Sequence, residues 1–327
     1  MRLLVTLAAF STLAFLVTGC VSLRPFDEVR RTVPENHFLR IGDQLVHVEQ
    51  AGDHGEPILL IHGFGGSAYS WRKVIPALAA DHRVFAVDLN GFGYTQRPKS
   101  RESYTRAGQA RLVLAVMDAL GLERAHVFGH SYGGGLTLYL ASRNPERFLS
   151  MVLVDSSAPT YSDDRRSRLA GLRPAATFFL RSFALRPSSI RRALQRSYYD
   201  DSQITPELVQ AYLDRLRIEG VADAYQGLTA PAPPGEQVEL EKIDVPALVV
   251  WGAQDTLISV ETGRRAAARM PRAEFVVIDQ CGHLPMEEKP EELLRAALPF
   301  LESQTLTPRP PLPTPPSLPH RERGGRG

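Results

Sequence analysis

Cysteine, net charge and cofactor-binding motifs are all scarce in this sequence. The 327 residues include two cysteines, Cys20 and Cys281, so no disulfide framework can be inferred. The 38 basic and 36 acidic residues leave a formal net charge of +2, which gives no electrostatic reason to expect nucleic acid as a partner. There is no P-loop, dinucleotide-binding fingerprint or cluster of metal ligands, so the sequence predicts neither a cofactor nor a metal site. Apolar residues, at 43%, are abundant enough for a large core.

The first twenty residues differ in character from the rest of the chain. A positive start, Met1-Arg2, precedes an almost wholly apolar stretch over residues 3–17, and small residues then lead to Cys20. This layout is typical of an export signal. The apolar stretch is shorter than the roughly 20 residues that span a bilayer comfortably.

Residues 16–20, with the sequence LVTGC, resemble a bacterial lipobox. In that motif the cysteine becomes the lipidated first residue of the mature protein. The resemblance implies that residues 1–20 are a lipoprotein-type signal peptide. It also implies that a lipid on Cys20 holds the exported protein at a membrane of the bacterial cell envelope. An ordinary cleaved signal and a membrane-retained helix are the alternatives.

Short apolar runs alternate with helical stretches along most of the remaining chain, after a hairpin pattern over residues 38–50. The apolar runs cover residues 57–61, 84–87, 125–128, 151–154, 247–251 and 274–278. The helical stretches cover residues 70–80, 105–120, 133–143, 260–268 and 291–301. Continuous apolar runs suit strands that are buried on both faces. The pattern therefore predicts an α/β fold with a mostly parallel sheet and helices on both faces.

One crossover is far longer than the others. Roughly 90 residues separate the fourth and fifth apolar runs, where about a dozen would suffice. Helical patterns within it, at residues 169–185, 188–198 and 206–218, predict an inserted helical cap over residues 157–244. Its many arginines form either a solvated face or a surface for anionic lipid or an anionic substrate.

The predicted cap divides the core into two segments, and a further segment is predicted at each end of the core. The core is predicted to comprise residues 33–156 and 245–302, and residues 21–36 are predicted to be a tether that leads into it. Residues 303–327, rich in proline and arginine, have too little apolar surface to pack and are predicted to be disordered.

The segment Gly129-His130-Ser131-Tyr132-Gly133 carries the strongest chemical signal. It is a G-x-S-x-G motif directly after a predicted buried strand and directly before a predicted helix, which is the context that this motif requires. A serine on such a sharp turn is held in a strained conformation with its hydroxyl exposed. The pattern predicts Ser131 as a nucleophile.

A serine hydroxyl needs a base, and the base needs an acid that fixes its tautomer. His283 follows the last predicted strand, and Asp255 follows the strand before it. The chain order Ser131, Asp255, His283 is the order expected for this kind of site. Asp155 ends another strand at the same edge and is a rival for the role of the acid. Its alternative role is to cap the turn into the predicted cap domain.

Acyl transfer also needs hydrogen-bond donors for the oxyanion. The glycine-rich loop at residues 62–66 follows the first long buried strand, and it matches the position of an oxyanion loop. The predicted donors are the backbone amides of Phe64 and Tyr132. Cys281 lies two residues before His283 and is predicted to be a packing residue, because a better nucleophile is present.

Together these motifs resemble the α/β-hydrolase superfamily over about residues 33–301. The matching residues are His62-Gly63-Phe64-Gly65-Gly66, Gly129-His130-Ser131-Tyr132-Gly133-Gly134, Asp255 and His283. Residues 88–93 are similar to the family's D-x-x-G-x-G turn, with Asn90 where proline is common, and this implies a structural role for Asp88. A serine nucleophile argues against the dehalogenase and epoxide hydrolase branches, which use a carboxylate.

The resemblance implies an esterase or lipase-like enzyme that hydrolyses carboxylic esters through an acyl-enzyme on Ser131, with His283 as general base. Its partners would be a small-molecule acyl substrate and, through Cys20, a membrane. Carbon–carbon bond hydrolases, amidases and cofactor-free peroxidases share the same motif spacing and remain alternatives. A binding protein built on an inactive hydrolase fold is a further alternative, which the complete set of catalytic elements disfavours.

Overall fold

The computed structural model of the chain describes residues 21–157, 184–228 and 237–305. The predicted signal segment with Cys20, the first helical pattern of the cap and nearly all of the predicted tail lie outside the described residues. Within the described part of the chain, no helix combines the length and the apolar character needed to cross a membrane.

An eight-stranded sheet forms the centre of the protein, in the order β1-β2-β4-β3-β5-β6-β7-β8. Strands β1 and β2 form an antiparallel hairpin, β2 pairs antiparallel with β4, and all other neighbouring strands are parallel. The strands are β1 Phe38–Ile41, β2 Gln44–Ala51, β3 Pro57–Ile61, β4 Arg83–Val87, β5 Ala125–His130, β6 Phe148–Val154, β7 Ala247–Gly252 and β8 Ala273–Ile278. The predicted mostly parallel sheet is confirmed.

The central strands are buried on both faces, as their continuous apolar runs predict. Every residue of β3, β5 and β7 is buried. Successive side chains point to opposite faces, so Val127 joins one hydrophobic cluster and Phe128 joins the other. The two clusters bury the sheet between two layers of helices, and the sheet is therefore a rigid base for the loops at its edge.

The helices of the described residues cover both faces of the sheet, and those within residues 184–228 belong to the inserted segment after β6, which is called the cap below. They are α1 Phe26–Val29, α2 Ile75–Leu78, α3 Arg106–Ala119, α4 Tyr132–Ala141, α5 Pro187–Ser197, α6 Pro206–Leu216, α7 Val221–Leu228, α8 Val260–Arg269, α9 Pro285–Glu288 and α10 Pro290–Thr305. Thr105 caps the start of helix α3, because its hydroxyl accepts a hydrogen bond from the Gly108 amide. Its side chains Leu112 and Val116 pack into the first cluster, while Leu293 and Phe300 of α10 pack into the second.

Three segments differ from the sequence predictions. The helix predicted over residues 70–80 is a 3₁₀ turn, Ala68–Trp71, followed by the short helix α2, which begins next to Pro76. Pro76 lacks a backbone N–H and fits best in the first turn of a helix, so α2 begins beside it instead of continuing from residue 70. At the other end of the chain, α10 continues to Thr305, three residues beyond the predicted end of the core.

The predicted tether is the third difference, because the chain before the sheet packs against the cap. The Arg24 amide donates to the carbonyl of Arg217, and the Glu219 amide donates back to the carbonyl of Arg24, at 2.8 and 3.0 Å. Phe26 and Val29 of α1 are buried against Ile218. Residues 21–29 are thus docked on the end of α6, and contacts that are remote in sequence outweigh their weak local pattern.

The cap is joined to the core through the buried carboxylate of Glu287. Glu287 accepts hydrogen bonds from the hydroxyls of Tyr198 and Tyr212, which belong to the cap, at 2.9 and 2.5 Å. It also accepts one from the guanidinium of Arg72, which belongs to the core, at 2.7 Å. The Glu287 side chain is fully buried, so these three donors replace the water that it would otherwise bind.

Replacement of Glu287 by alanine should destabilise the protein by about 3 kcal/mol, because Arg72 and the two tyrosines lose their shared acceptor in a buried place. Urea unfolding of the purified protein measures the change. Glu302→Ala is a matched control on an exposed part of α10 and should change stability by no more than about 0.5 kcal/mol. Equal effects of the two substitutions would contradict the role given to Glu287.

Candidate active site

Ser131 lies on a sharp turn between β5 and α4. Its backbone has φ 50° and ψ −114°, a strained conformation for a residue with a side chain. A Cβ on Gly129 would lie 2.3 Å from the Thr137 hydroxyl, and a Cβ on Gly133 would lie 2.4 Å from the Ile61 carbonyl. The two glycines of the motif are therefore required by the close approach of the helix and of strand β3.

The three residues predicted from the sequence meet at the carboxyl edge of the sheet. His283 Nε2 is 2.9 Å from Ser131 Oγ, and His283 Nδ1 is 2.7 Å from Asp255 Oδ2. A carboxylate can only accept, so Nδ1 carries the proton and Nε2 is left to accept a hydrogen bond from the serine hydroxyl. The arrangement is that of a nucleophile, a base and an acid that orients the base.

Asp255 is held as a carboxylate by more than the imidazole. Its Oδ1 accepts hydrogen bonds from the Leu257 and Ile258 amides at 2.7 and 3.0 Å. Burial favours the neutral acid, but the hydrogen bond from the His283 ring, the electrostatic attraction of that ring and the Ile258 amide outweigh burial and lower the pKa of Asp255. The carboxylate is fixed in place and remains charged beside the imidazole.

Asp155, the rival acid, does not hydrogen-bond to His283 in the structure. It lies at the end of β6 with φ 43°, and its Oδ1 accepts a hydrogen bond from the Gly252 amide at 3.1 Å. Ligand-type atoms of Asp155, Asp255 and His283 all lie within 4.8 Å of one another, an arrangement that a metal ion can occupy in other proteins. Both ring nitrogens of His283 are already engaged, so the ring has no position left for an ion.

The backbone of His283 is positioned by residues that sequence reasoning did not identify. The His283 amide donates to the carbonyl of Ser197 in the cap at 2.6 Å. The His283 carbonyl accepts from Nε2 of His130 at 2.7 Å. Burial and the neighbouring His283 ring hold the pKa of His130 well below its usual value, so His130 is neutral. The only available signal for His130 is its place beside the nucleophile in the motif.

Glu288 links the same loop to the cap. Its carboxylate accepts hydrogen bonds from the Gly282 amide at 2.5 Å, from the Asp200 amide at 3.1 Å and from the Tyr199 amide. Gly282 directly precedes His283, whereas Tyr199 and Asp200 follow helix α5 of the cap. One buried side chain therefore fixes the position of the histidine loop relative to the cap.

The predicted oxyanion loop lies directly against the nucleophile. A Cβ on Gly63 would be 3.1 Å from the Ser131 Cβ, so this loop and the serine are in close contact. His62 orders the loop, because its Nδ1 is 2.7 Å from the Gly63 carbonyl and its Nε2 accepts a hydrogen bond from the Leu89 amide at 3.1 Å. The ring centroids of Phe64 and Tyr132 are 6.4 Å apart, and the two predicted donor residues are thus neighbours.

Cys281 and Asp88 have the environments of structural residues, as the sequence predicts. Cys281 is fully buried, and burial together with the charge of Glu288 raises the pKa of its thiol, which disfavours a thiolate nucleophile. The Asp88 carboxylate is occupied by His47 Nδ1 at 2.8 Å and by the amides of Ala68 and Tyr94 at 2.6 and 2.7 Å. Burial opposes ionisation of Asp88, but His47 outweighs it and lowers the pKa of Asp88.

Comparison with known proteins finds relatives that match most of this chain. A family model described as "alpha/beta hydrolase fold" matches residues 56–290. The chain is 30% identical over 283 residues to the dihydrolipoyllysine-residue acetyltransferase component of the acetoin cleaving system from Pseudomonas putida, covering 84% of this chain and 71% of that protein. It is 31% identical over 266 residues to a 2-hydroxy-6-oxononadienedioate/2-hydroxy-6-oxononatrienedioate hydrolase from Paraburkholderia phymatum, covering 78% of this chain and 90% of that protein.

Among solved structures, the chain is similar to a meta-cleavage product hydrolase, CumD, from Pseudomonas fluorescens IP01. The TM-score is 0.68 at 27% identity, and the match covers 81% of this chain and 97% of the other. The family match spans more than half of the chain and contains Ser131, Asp255 and His283. The chain therefore belongs to the alpha/beta hydrolase fold family, and it is a hydrolase.

Proposed function

We propose that this hydrolase cleaves a bond at a carbonyl carbon through an acyl-enzyme on Ser131. The observation that carries the proposal is the continuous line of hydrogen bonds from Ser131 through His283 to Asp255, at 2.9 and 2.7 Å. His283 takes the proton from Ser131 Oγ while Oγ forms a bond to the carbonyl carbon. Asp255 stabilises the imidazolium that results.

The second half of the reaction returns the enzyme to its starting state. The backbone amides of Phe64 and Tyr132 stabilise the oxyanion, and its collapse breaks the bond to the leaving group, which takes the proton from His283. Water then gives a proton to His283 while its oxygen attacks the acyl-enzyme. The acid leaves, and the proton returns to Ser131. The cycle consumes one water and needs no cofactor.

For the bond that is cleaved, the named relatives favour a carbon–carbon bond over the carboxylic ester that the sequence analysis places first. The Paraburkholderia relative is named as a hydrolase of 2-hydroxy-6-oxononadienedioate and 2-hydroxy-6-oxononatrienedioate, and CumD is named as a meta-cleavage product hydrolase. In this version the leaving group is a carbanion stabilised by conjugation, and the proton from His283 goes to carbon. A carboxylic ester remains the second candidate, because it requires only the triad and the oxyanion loop.

Aromatic side chains next to the nucleophile support a flat, conjugated substrate. Phe64 is 48% exposed, although its ring lies 5.4 Å from Phe92, 6.4 Å from Tyr132 and 6.2 Å from Tyr225 of α7, between ring centroids. Aromatic rings contact flat π-systems favourably in edge-to-face or offset geometry. We propose that the rings of Phe64, Tyr132 and Tyr225 contact the conjugated part of the substrate, and that the buried Phe92 ring supports Phe64 from below.

A substrate panel separates the two candidates. It contains a 2-hydroxy-6-oxo-dienoate, p-nitrophenyl esters of short and long acids, and an anilide, all at the same enzyme concentration. A kcat/KM at least tenfold higher for the oxo-dienoate supports carbon–carbon hydrolysis. A preference for the p-nitrophenyl esters would overturn that choice in favour of the ester candidate. Turnover of the anilide alone would contradict both.

Ser131→Ala should remove nearly all turnover of the preferred substrate, by about 10⁴-fold or more, because the nucleophile is lost. It should also abolish labelling by a fluorophosphonate probe, while circular dichroism stays unchanged. Ser100→Ala, at an exposed serine, is the matched control and should label fully. A Ser131→Ala protein that keeps its turnover would show that the nucleophile is wrongly assigned.

His130→Leu should lower kcat by about tenfold with little change in KM. The carbonyl of His283 loses its hydrogen-bond donor, and the His283 imidazole therefore shifts from its position. Steady-state kinetics on the preferred substrate measure both constants. His54→Leu replaces an exposed histidine and serves as the control. A His130→Leu enzyme with wild-type kcat would exclude a positioning role for His130.

The lipid anchor on Cys20 and the location at the bacterial cell envelope remain predictions from the sequence. We propose that a bacterium that expresses the full chain retains it in the membrane fraction. Replacement of Cys20 by serine should shift the protein to the soluble fraction, as measured by fractionation and immunoblotting. Unchanged membrane retention of the Cys20→Ser chain would contradict the anchor.

A further inference from the structure

Two aspartates end neighbouring parallel strands at the catalytic edge of the sheet, but only one of them hydrogen-bonds to His283. Asp255 follows β7, and Asp155 directly follows β6. Their carboxylate atoms and a ring nitrogen of His283 lie within 4.8 Å of one another. Both carboxyl groups are buried, which makes their protonation states mutually dependent.

The hydrogen-bond donors around the pair are unequally shared. Asp255 accepts three hydrogen bonds, from the His283 ring and from the amides of Leu257 and Ile258. Asp155 accepts one, from the Gly252 amide to Oδ1. Its other oxygen, Oδ2, is buried and receives no hydrogen bond from any donor in the described residues. A buried carboxylate oxygen without a donor is costly, whereas a protonated one becomes a donor itself.

We propose that Asp155 carries a proton on Oδ2 and donates it in a hydrogen bond to the Asp255 carboxylate, which makes Asp155 a positioning residue for the triad. The inference rests on the proposed function, because it assigns a role to a neighbour of the catalytic acid. The shared proton satisfies the otherwise unpartnered oxygen of Asp155. It also gives the two carboxyl groups a combined charge of −1.

None of the charged and titratable groups that face Asp155 stabilises its ionised form. Asp255 on the loop after β7 and Glu288 on α9 are both acids, and with burial they raise the pKa of Asp155 well above its usual value. From the loop after β8, the Cys281 thiol is neutral, and the His283 ring is engaged by Asp255. A proton that Asp155 donates to Asp255 favours the charged form of Asp255, in agreement with the lowered pKa of Asp255.

The backbone conformation of Asp155 helps to place its side chain beside Asp255. The Asp155 amide donates to the Val250 carbonyl of β7 at 3.0 Å, and the residue has the positive φ of 43° noted above. Aspartate is among the residues that tolerate this conformation best. The hydrogen bond from Oδ2 then restricts rotation of the Asp255 carboxylate and moderates its charge toward His283.

The test compares Asp155→Ala with Asp155→Asn on the preferred substrate. Asparagine keeps an oxygen that can accept from the Gly252 amide and an N–H that can donate to Asp255, so it imitates the protonated acid. We expect Asp155→Ala to lower kcat by about tenfold and Asp155→Asn to restore most of that loss. Asp255→Asn should cost about 10⁴-fold in kcat, since it removes the charged acid itself.

The pH profile distinguishes the neutral acid from an ionised one. With a neutral Asp155, the alanine variant leaves Asp255 a stronger acceptor, so the midpoint of the acidic limb of kcat/KM should rise. The asparagine variant should leave this midpoint close to that of the wild type. If Asp155 is instead ionised, both variants remove a negative charge and the midpoint should fall. A fall, or an Asp155→Asn loss as large as that of Asp255→Asn, would overturn the inference.

An infrared measurement on the resting protein is independent of activity. At pH 7 the wild type should show the carbonyl stretch of a protonated carboxylic acid that is missing from Asp155→Asn, and thermal unfolding confirms that the variant is folded. Identical spectra would refute the proton on Asp155. If Ser131→Ala kept full turnover, the proposed function would fail, but the infrared result would still decide the protonation of Asp155.

Discussion

The rest of the site depends on the imidazole of His283, in which one nitrogen must donate a hydrogen bond and the other must accept one. Nδ1 must donate to Asp255 so that Nε2 can accept from Ser131, and either hydrogen bond alone would leave the ring free to turn. The backbone is held as firmly as the ring, through its amide to Ser197 and its carbonyl to His130. A base with this many contacts needs little reorganisation when the proton moves.

The sheet makes these contacts possible because its parallel strands β3 to β8 all end at the same edge. Loops that are more than a hundred residues apart in sequence meet there, and the burial of β3, β5 and β7 on both faces keeps their ends in register. The strain at Ser131 and Asp155, both with positive φ, is concentrated at this edge. It persists because the surrounding strands and glycine contacts leave these residues no other conformation.

Much of this architecture can be predicted from the sequence, because fully buried strands leave continuous apolar runs and the G-x-S-x-G motif requires a strand before it and a helix after it. All eight strands lie within a few residues of their predicted positions. The docking of residues 21–29 and the roles of His130, Glu287 and Glu288 could not be predicted. Each depends on a partner that is remote in sequence, such as Ile218 for α1 or Tyr198 for Glu287. The local spacing of apolar residues carries no information about such contacts.

The adjacent residues Glu287 and Glu288 explain how the cap and the base are kept in one arrangement. Glu287 holds the cap side chains Tyr198 and Tyr212 against the core, while Glu288 holds the backbone of Gly282 against the cap. Movement of this part of the cap would therefore separate Tyr198 and Tyr212 from Glu287 and the backbone of Tyr199 from Glu288. These donors would then be unpaired. The described part of the cap and the loop that carries His283 thus depend on the same two carboxylates, which links the position of the base to the packing of the cap.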